Sequence, residues 1–316
     1  MNKYHWKISP EINQLIVELE SFKFLINQLP SSSEIEASFR QHSLLKSAVF
    51  SARIEDFTDT LNAPKKESQN LLKVYRFVLS DKSPQKLNLG FIRNIHKLVL
   101  DKLASNSGNW RTEPWAIFDQ AGVAVYLAPP HFEVPEMMAE YTQLINRLSD
   151  HPGIKAAVAQ FIFEKIHPFA DGNGRVGRLI SAFILDKNGF GFRGLAPFEE
   201  YLDNHREDYY YHLESSTDCS GFIQFFLEAL VSQSREYVGK LTFSDQIKPE
   251  NTLLPRRQEI LEIIRDHPQC SFDFLKRRFL AVNEKTLHND LLSLQKNKFI
   301  RKLGITNKVV YIANNQ

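Results

Sequence analysis

Residues 167–178 read His167-Pro168-Phe169-Ala170-Asp171-Gly172-Asn173-Gly174-Arg175-Val176-Gly177-Arg178. One imidazole, one carboxylate, three glycines and two guanidinium groups fall within this short stretch. His167 titrates in the range useful to a general base. Gly172 and Gly174, on either side of Asn173, permit positive φ and close approach of backbone to a ligand. A helix is predicted to start near Gly174, so several N–H groups converge at a helix N-terminus. That makes an anion nest suited to phosphate. Arg175 and Arg178 are i, i+3 neighbours on the first turn of this helix, where a phosphate chain would lie. Asp171 offers a hard oxygen to a Mg²⁺ that bridges phosphate oxygens. The residue types point to chemistry on a phosphate with a base at hand. Each also has a plainer reading, as a turn, a solvated arginine or a structural histidine.

The elements that must hold these residues are mainly α. Helical spacing predicts helices at about 10–28, 33–56, 66–80, 88–104, 134–149, 153–166, 174–188, 204–216 and 220–240. Ile154, Val158, Phe161, Ile162 and Ile166 form the apolar set of the helix before His167. Pro168 stops it. Residues 114–118 and 123–127, joined through Asp119-Gln120-Ala121-Gly122, read as a β-hairpin closed by Pro129-Pro130. A lone hairpin is marginal by itself and must pack on the helices.

The string His167 to Arg178 matches the signature HxFx(D/E)GNGRxxR at every specified position, and the chain resembles the Fic family. The resemblance covers roughly residues 1–240 and is most specific at 167–178. It implies a helical core, a β-hairpin flap over the site at 114–127, and transfer of AMP from ATP to a protein hydroxyl. It implies His167 as the base that deprotonates the target Ser, Thr or Tyr, and Asp171 as the Mg²⁺ ligand between the α- and β-phosphates. The Gly172, Asn173 and Gly174 backbone would hold the anion. Arg175 would hold the phosphate chain and the leaving pyrophosphate, and Arg178 the γ-phosphate. A target protein would dock on the flap by strand addition. Arg206-Glu207-Asp208-Tyr209-Tyr210 resembles a family helix that borders the nucleoside. Tyr209, Leu213 and Thr217, at i, i+4 and i+8, are nucleoside-side candidates or an aromatic core stripe.

Ser51 and Glu55 share one face of the second predicted helix. With Arg53 and Ile54 they resemble the family's inhibitory motif (S/T)xxxE(G/N), with Asp56 where Gly or Asn is usual. The resemblance implies that Glu55 pairs with Arg178 and holds ATP in an unproductive pose. In some relatives the same glutamate serves AMP removal, and others use another nucleotide donor. Both stay open.

The charge is uneven. The chain of 316 residues has 39 Lys+Arg and 37 Asp+Glu. Residues 251–316 hold 12 basic and 6 acidic residues, against 27 and 31 in residues 1–250. The C-terminal part is predicted as three helices, with Ser271 and Asn283 as caps, and a hairpin at 299–303 and 308–312. This resembles a winged helix-turn-helix domain. Its Lys276, Arg277, Arg278, Lys285, His288, Arg301, Lys302 and Lys308 suit phosphate contacts with DNA. Such domains also dock proteins. A DNA-binding regulator with the Fic core as sensor is therefore the competing class. The expected division is 1–110 as an N-terminal helical region with the inhibitory motif, 111–243 as the catalytic core, 244–254 as a linker, and 255–316 as the winged helix. The oligomeric state is open, with a homodimer among the options. Cys219 and Cys270 make no disulfide framework. No signal peptide and no 18-residue apolar run is visible, so the expected location is cytoplasmic.

Overall fold

The computed structural model describes residues 3–28, 33–55, 65–118, 124–194, 196–214, 217–242, 253, 255–267, 270–280, 282–304 and 309–314. These are mainly helical. Two compact units are present: residues 1–31 with 42–242, and residues 32–41 with 243–316.

The first unit holds α1 (Pro10–Gln28), the part of α2 (Ser33–Glu55) from His42 onward, α3 (Lys65–Val78) and α4 (Leu89–Val99), which precede the hairpin strands β1 (Ala116–Phe118) and β2 (Ala124–Leu127). Then come α5 (Val134–Arg147), α6 (Pro152–Ile166), α7 (Asn173–Lys187), α8 (Phe198–Asn204), α9 (Arg206–His212) and α10 (Ser220–Thr242). Helix α6 lies at the centre. It is apolar nearly all round, as a buried helix must be, and packs against α7 and α10, with α5 also alongside. Its start is fixed by Pro152 in the first turn and by the His151 ring, which accepts from the Gly153 N–H at 3.1 Å. Asn88 caps α4 by accepting from the Phe91 N–H at 2.9 Å.

Two predicted helices come out shorter. The one expected over 88–104 ends at Val99, where Leu100 leaves the helical region and turns follow. The one expected over 204–216 is replaced by α8 and α9, broken at His205 with φ −121° and ψ 45°. The α8 helix, begun after Pro197, has too few residues to show a period in the sequence. The strands of the hairpin pair antiparallel, Ile117 opposite Tyr126, with a register shift between Ile117 and Phe118. The expected hairpin turn at 119–122, and Val123 of the second expected strand, lie outside the described residues.

The second unit contains α11 (Pro255–Asp266), β3 (Cys270–Ser271), α12 (Phe272–Arg278), α13 (Glu284–Lys296), β4 (Ile300–Leu303) and β5 (Val310–Ala313). The three strands form an antiparallel sheet in the order β3-β5-β4. Ser271 and Asn283 cap α12 and α13 as the sequence predicts. Leu287, Leu291 and Leu294 of α13 are buried against Ile260, Leu261 and Leu275. The buried Asp290 carboxylate accepts from Arg256 Nε at 2.5 Å and Arg257 Nε at 2.9 Å. Lys308 and residues 243–252 and 254, most of the expected linker, lie outside the described residues. No helix among the described residues is long and apolar enough to cross a membrane.

Candidate active site

The site begins where α6 ends. Pro168 disfavours a helical residue before it, and His167 takes a left-handed conformation with φ 49° and ψ 60°. Its N–H still closes the helix on the Phe163 carbonyl at 3.0 Å. The turn carries the imidazole off the helix axis and onto Trp115, ring to ring at 3.5 Å. Nδ1 faces Glu164 Oε2 at 3.9 Å. Burial pushes the His167 pKa down to about 3, so the ring is neutral at physiological pH.

The loop after His167 is pinned from three sides. Asn173 Nδ2 donates to the Phe169 carbonyl and its Oδ1 accepts from the Phe169 N–H, both at 2.9 Å. The Asn173 side chain is thereby spent on the loop and only its backbone is left for a ligand. His96 stacks flat on Phe169 with centroids 3.6 Å apart. Its Nδ1 accepts from the Gly108 N–H at 2.7 Å. The proton must therefore sit on Nε2, which donates to the Asp171 carbonyl at 3.0 Å. Burial pushes the His96 pKa down to about 4. Arg111 donates from Nε to the His167 carbonyl at 2.8 Å, and from its terminal nitrogens to the carbonyls of Glu113 and Pro129. It ties the loop to both ends of the hairpin.

Gly172 takes φ 79° at the start of α7, a conformation that favours glycine. Asp171 Oδ1 accepts from the Gly172 N–H at 2.6 Å and from Arg175 at 2.7 Å. Its side chain is 63% exposed. Arg175 is buried, with a second carboxylate, Glu67 Oε1, at 2.5 Å, and an Nε that has no partner among the described residues. Arg178 is fully buried. Its Nε donates to Ser51 Oγ at 3.0 Å, and one terminal nitrogen donates to the Ser51 carbonyl and Glu55 Oε1, each at 2.8 Å. The other terminal nitrogen lies 3.4 Å from the Tyr209 hydroxyl. Burial alone would lower the Arg178 pKa, but the Glu55 charge and hydrogen bond raise it overall. A Cβ placed on Gly174 would overlap Glu55 Oε1. The Glu55 carboxylate therefore occupies the glycine cradle at the helix start.

His167, Asp171, Gly172, Asn173, Gly174, Arg175, Arg178, Ser51 and Glu55 are thus brought together around the first turn of α7. The nucleoside-side candidates are not arranged as predicted. Tyr209 is buried, and its hydroxyl accepts from Gln160 at 2.8 Å. Helix α9 ends at His212 and Leu213 is its cap, so Leu213 and Thr217 do not share a helical face with Tyr209. The Leu213 carbonyl accepts from Lys165, and the Thr217 carbonyl from the His5 N–H. Those contacts hold the chain out of a helix.

Sequence reading missed Glu67, His96, Arg111 and Glu164. Glu164 precedes His167 by three positions, one helical turn, and spacing could have found it. Its Oε1 is buried without a partner among the described residues, and burial together with the nearby Glu55 charge pushes its pKa up to about 8. The other three reach the site from distant elements, with no local signal.

Residues 86–185 match the sequence profile of the Fic/DOC family. The Fido domain-containing protein DDB_G0283145 of Dictyostelium discoideum is 31% identical over 126 residues, which cover 38% of this chain and 87% of that protein. The chain belongs to the Fic/DOC family. Other members set the scale of the likeness. Protein adenylyltransferase fic-1 of Caenorhabditis elegans is 28% identical over 139 residues, 40% of this chain and 26% of that protein. The chain spans about a quarter of the length of the curated adenylyltransferases it matches first. A solved Fic family protein from Desulfovibrio desulfuricans aligns over 98% of both chains, with TM-score 0.62 and 22% identity. That likeness is one of fold. As a Fic/DOC member the chain carries the family's loop between α6 and α7, with its histidine and both arginines intact.

Proposed function

We propose that this Fic/DOC protein transfers AMP from MgATP to a Ser, Thr or Tyr hydroxyl of a target protein or of itself, and that Glu55 restrains the reaction. The observation that carries the reading is the first turn of α7. Two buried arginines and a glycine cradle stand beside a neutral imidazole there. Such a pocket suits a polyphosphate next to a base.

In the proposed reaction, His167 takes the hydroxyl proton on Nε2, the nitrogen that does not face Glu164. The oxygen attacks the α-phosphorus, the bond from that phosphorus to the β-phosphate oxygen breaks, and pyrophosphate leaves. Backbone N–H groups of Asn173 and Gly174 hold the phosphates, joined by that of Gly172 once it leaves Asp171 Oδ1. Arg175 takes the phosphate chain and leaving group, and Arg178 the γ-phosphate. Positioning and charge neutralisation supply most of the rate. Asp171 is exposed and one of its oxygens is free of the contacts above, which fits a shared Mg²⁺. No cluster of three His, Cys or acidic side chains that could hold a metal occurs among the described residues. Of the nucleoside-side candidates this reading keeps Tyr209, whose hydroxyl lies 3.4 Å from Arg178. The hairpin at 114–127 acts as the flap that registers the target. The Glu55 carboxylate stands where the γ-phosphate must lie.

The test is the intact mass of the full chain after incubation with MgATP, and label transfer to a lysate from α-labelled ATP. Glu55→Gly should gain label, and Glu55→Gly with His167→Ala should lose it. No transfer by the Glu55 variant, from ATP or from UTP, refutes the reading. Loss of AMP from a premodified chain would assign the reverse reaction. A second reading rests on residues 255–316, a proposed winged helix. Arg277, Lys285, Arg301 and Lys302 are exposed there, as duplex DNA would need. Salt-sensitive duplex binding without AMP transfer would favour a DNA-binding regulator.

A further inference from the structure

The two arginines of α7 are held by different parts of the chain. Arg178 meets Glu55 at the end of α2, and Arg175 meets Glu67 in the first turn of α3. Arg175 also meets Asp171. A guanidinium presents five N–H donors in a rigid fork. Here one donor on each terminal nitrogen goes to a carboxylate, and the buried Nε–H has no acceptor among the described residues. A buried donor left without a partner is costly and calls for one. The proposed nucleotide would bring a phosphate oxygen.

The two carboxylates on Arg175 are not equivalent. Asp171 belongs to a loop, is 63% exposed, and under the proposed function shares its oxygens with Mg²⁺. Glu67 belongs to a helix and is 22% exposed, with no such second duty. The anchor available to Arg175 in the loaded site is therefore Glu67. We propose that Glu67 is the positioning residue of Arg175, fixing the guanidinium plane so that its Nε–H faces the phosphate chain. This inference rests on the reading of the loop as a MgATP site. Glu67 acts through Arg175 and not on the nucleotide itself.

The test uses the full chain in the Glu55→Gly background, with MgATP as the probe. Calorimetry gives Kd, label transfer gives kcat and KM, and thermal melting reports folding. Glu67→Ala should raise Kd and KM about ten-fold, about 1.4 kcal/mol, and Glu67→Gln by less, since it keeps an acceptor. In a background that also carries Arg175→Ala, Glu67→Ala should change Kd less than about two-fold, because coupled residues are not additive. An equal loss in both backgrounds means a merely structural role and overturns the assignment. Unchanged binding overturns it as well. Tighter binding makes Glu67 a counter-charge against phosphate and also overturns it. If Glu67→Ala does not fold, Glu67→Gln carries the same cycle. Nucleotide binding without AMP transfer defeats the proposed function alone. No nucleotide binding by the Glu55→Gly chain defeats both.

Discussion

Glu55→Gly perturbs the apo and the nucleotide-bound site in opposite directions. Without nucleotide Arg178 is fully buried and, among the described residues, Glu55 is its one carboxylate contact, at 2.8 Å. Removing one partner of a buried pair costs roughly 3–5 kcal/mol, because the other charge is left uncompensated. The low end applies here. Ser51 still offers its hydroxyl and carbonyl to Arg178, and the Glu55 side chain is 31% exposed. A loss of about 3 kcal/mol lowers Tm by roughly 10 °C in a unit of this size. With MgATP the balance reverses. In wild type a γ-phosphate must first displace Glu55, and about 3 kcal/mol weakens productive binding roughly 100-fold. In the variant the cradle over Gly174 is open and the phosphate restores a partner to Arg178. At a ligand concentration of about 100 Kd, binding returns about 2.7 kcal/mol of stability. Thermal melting with and without MgATP, beside label transfer at subsaturating ATP, reads both effects. The variant should melt lower when empty, gain more from MgATP, and transfer AMP faster. Equal MgATP shifts in the two proteins, with transfer within two-fold of wild type, would refute the reasoning.

His167→Ala in the Glu55→Gly background should lower kcat by about 10²–10⁴ with MgATP affinity unchanged, measured by label transfer and calorimetry. The His167 pKa is pushed down to about 3, so its base form persists far below the ordinary 6.5, and the pH profile of kcat/KM should show no histidine limb near 6.5. Gly174→Ala places a methyl where the Glu55 carboxylate sits. It should break the Glu55 contact and fill the phosphate cradle, abolishing MgATP binding by calorimetry even with Glu55→Gly. The Glu164 pKa is raised from 4.5 to about 8, so the fold favours its protonated form. Stability from this group is full below pH 4.5 and is lost by about 1.4 kcal/mol per unit as pH rises from 4.5 to 8. Glu164→Gln should therefore stabilise the chain at pH 9 relative to wild type, and not at pH 4, in denaturant titrations.

What the sequence made legible follows the range of the interactions. The helix stop at Pro168, the glycines that open α7 and the i, i+3 arginines are local and could be read from neighbouring residues. Even the Glu55–Arg178 contact was expected, but only through a family motif; nothing local links residues 55 and 178. The misread helix over 204–216 shows the limit. Arg206 to His212 has helical residues throughout. Its end is set by Lys165 from α6, which binds the Leu213 and Glu214 carbonyls, and by the N-terminal segment at His5, which pairs with Thr217 to Cys219. Tertiary hydrogen bonds there override local propensity.

The supporting residues were hidden for the same reason. His96 on α4, Glu67 on α3 and Arg111 before the hairpin have no sequence neighbour that reveals their task. Each does one job that the loop cannot do for itself. His96 holds the Asp171 carbonyl, Arg111 holds the His167 carbonyl and both hairpin ends, and Glu67 holds Arg175. The loop supplies reactive groups on a short, glycine-containing backbone that cannot be rigid alone. Its geometry is imposed by helices α3 and α4, each packed on one buried face, and by the buried α6. Changes at those helices should therefore alter catalysis without touching the motif, and the Glu67 cycle measures that coupling directly.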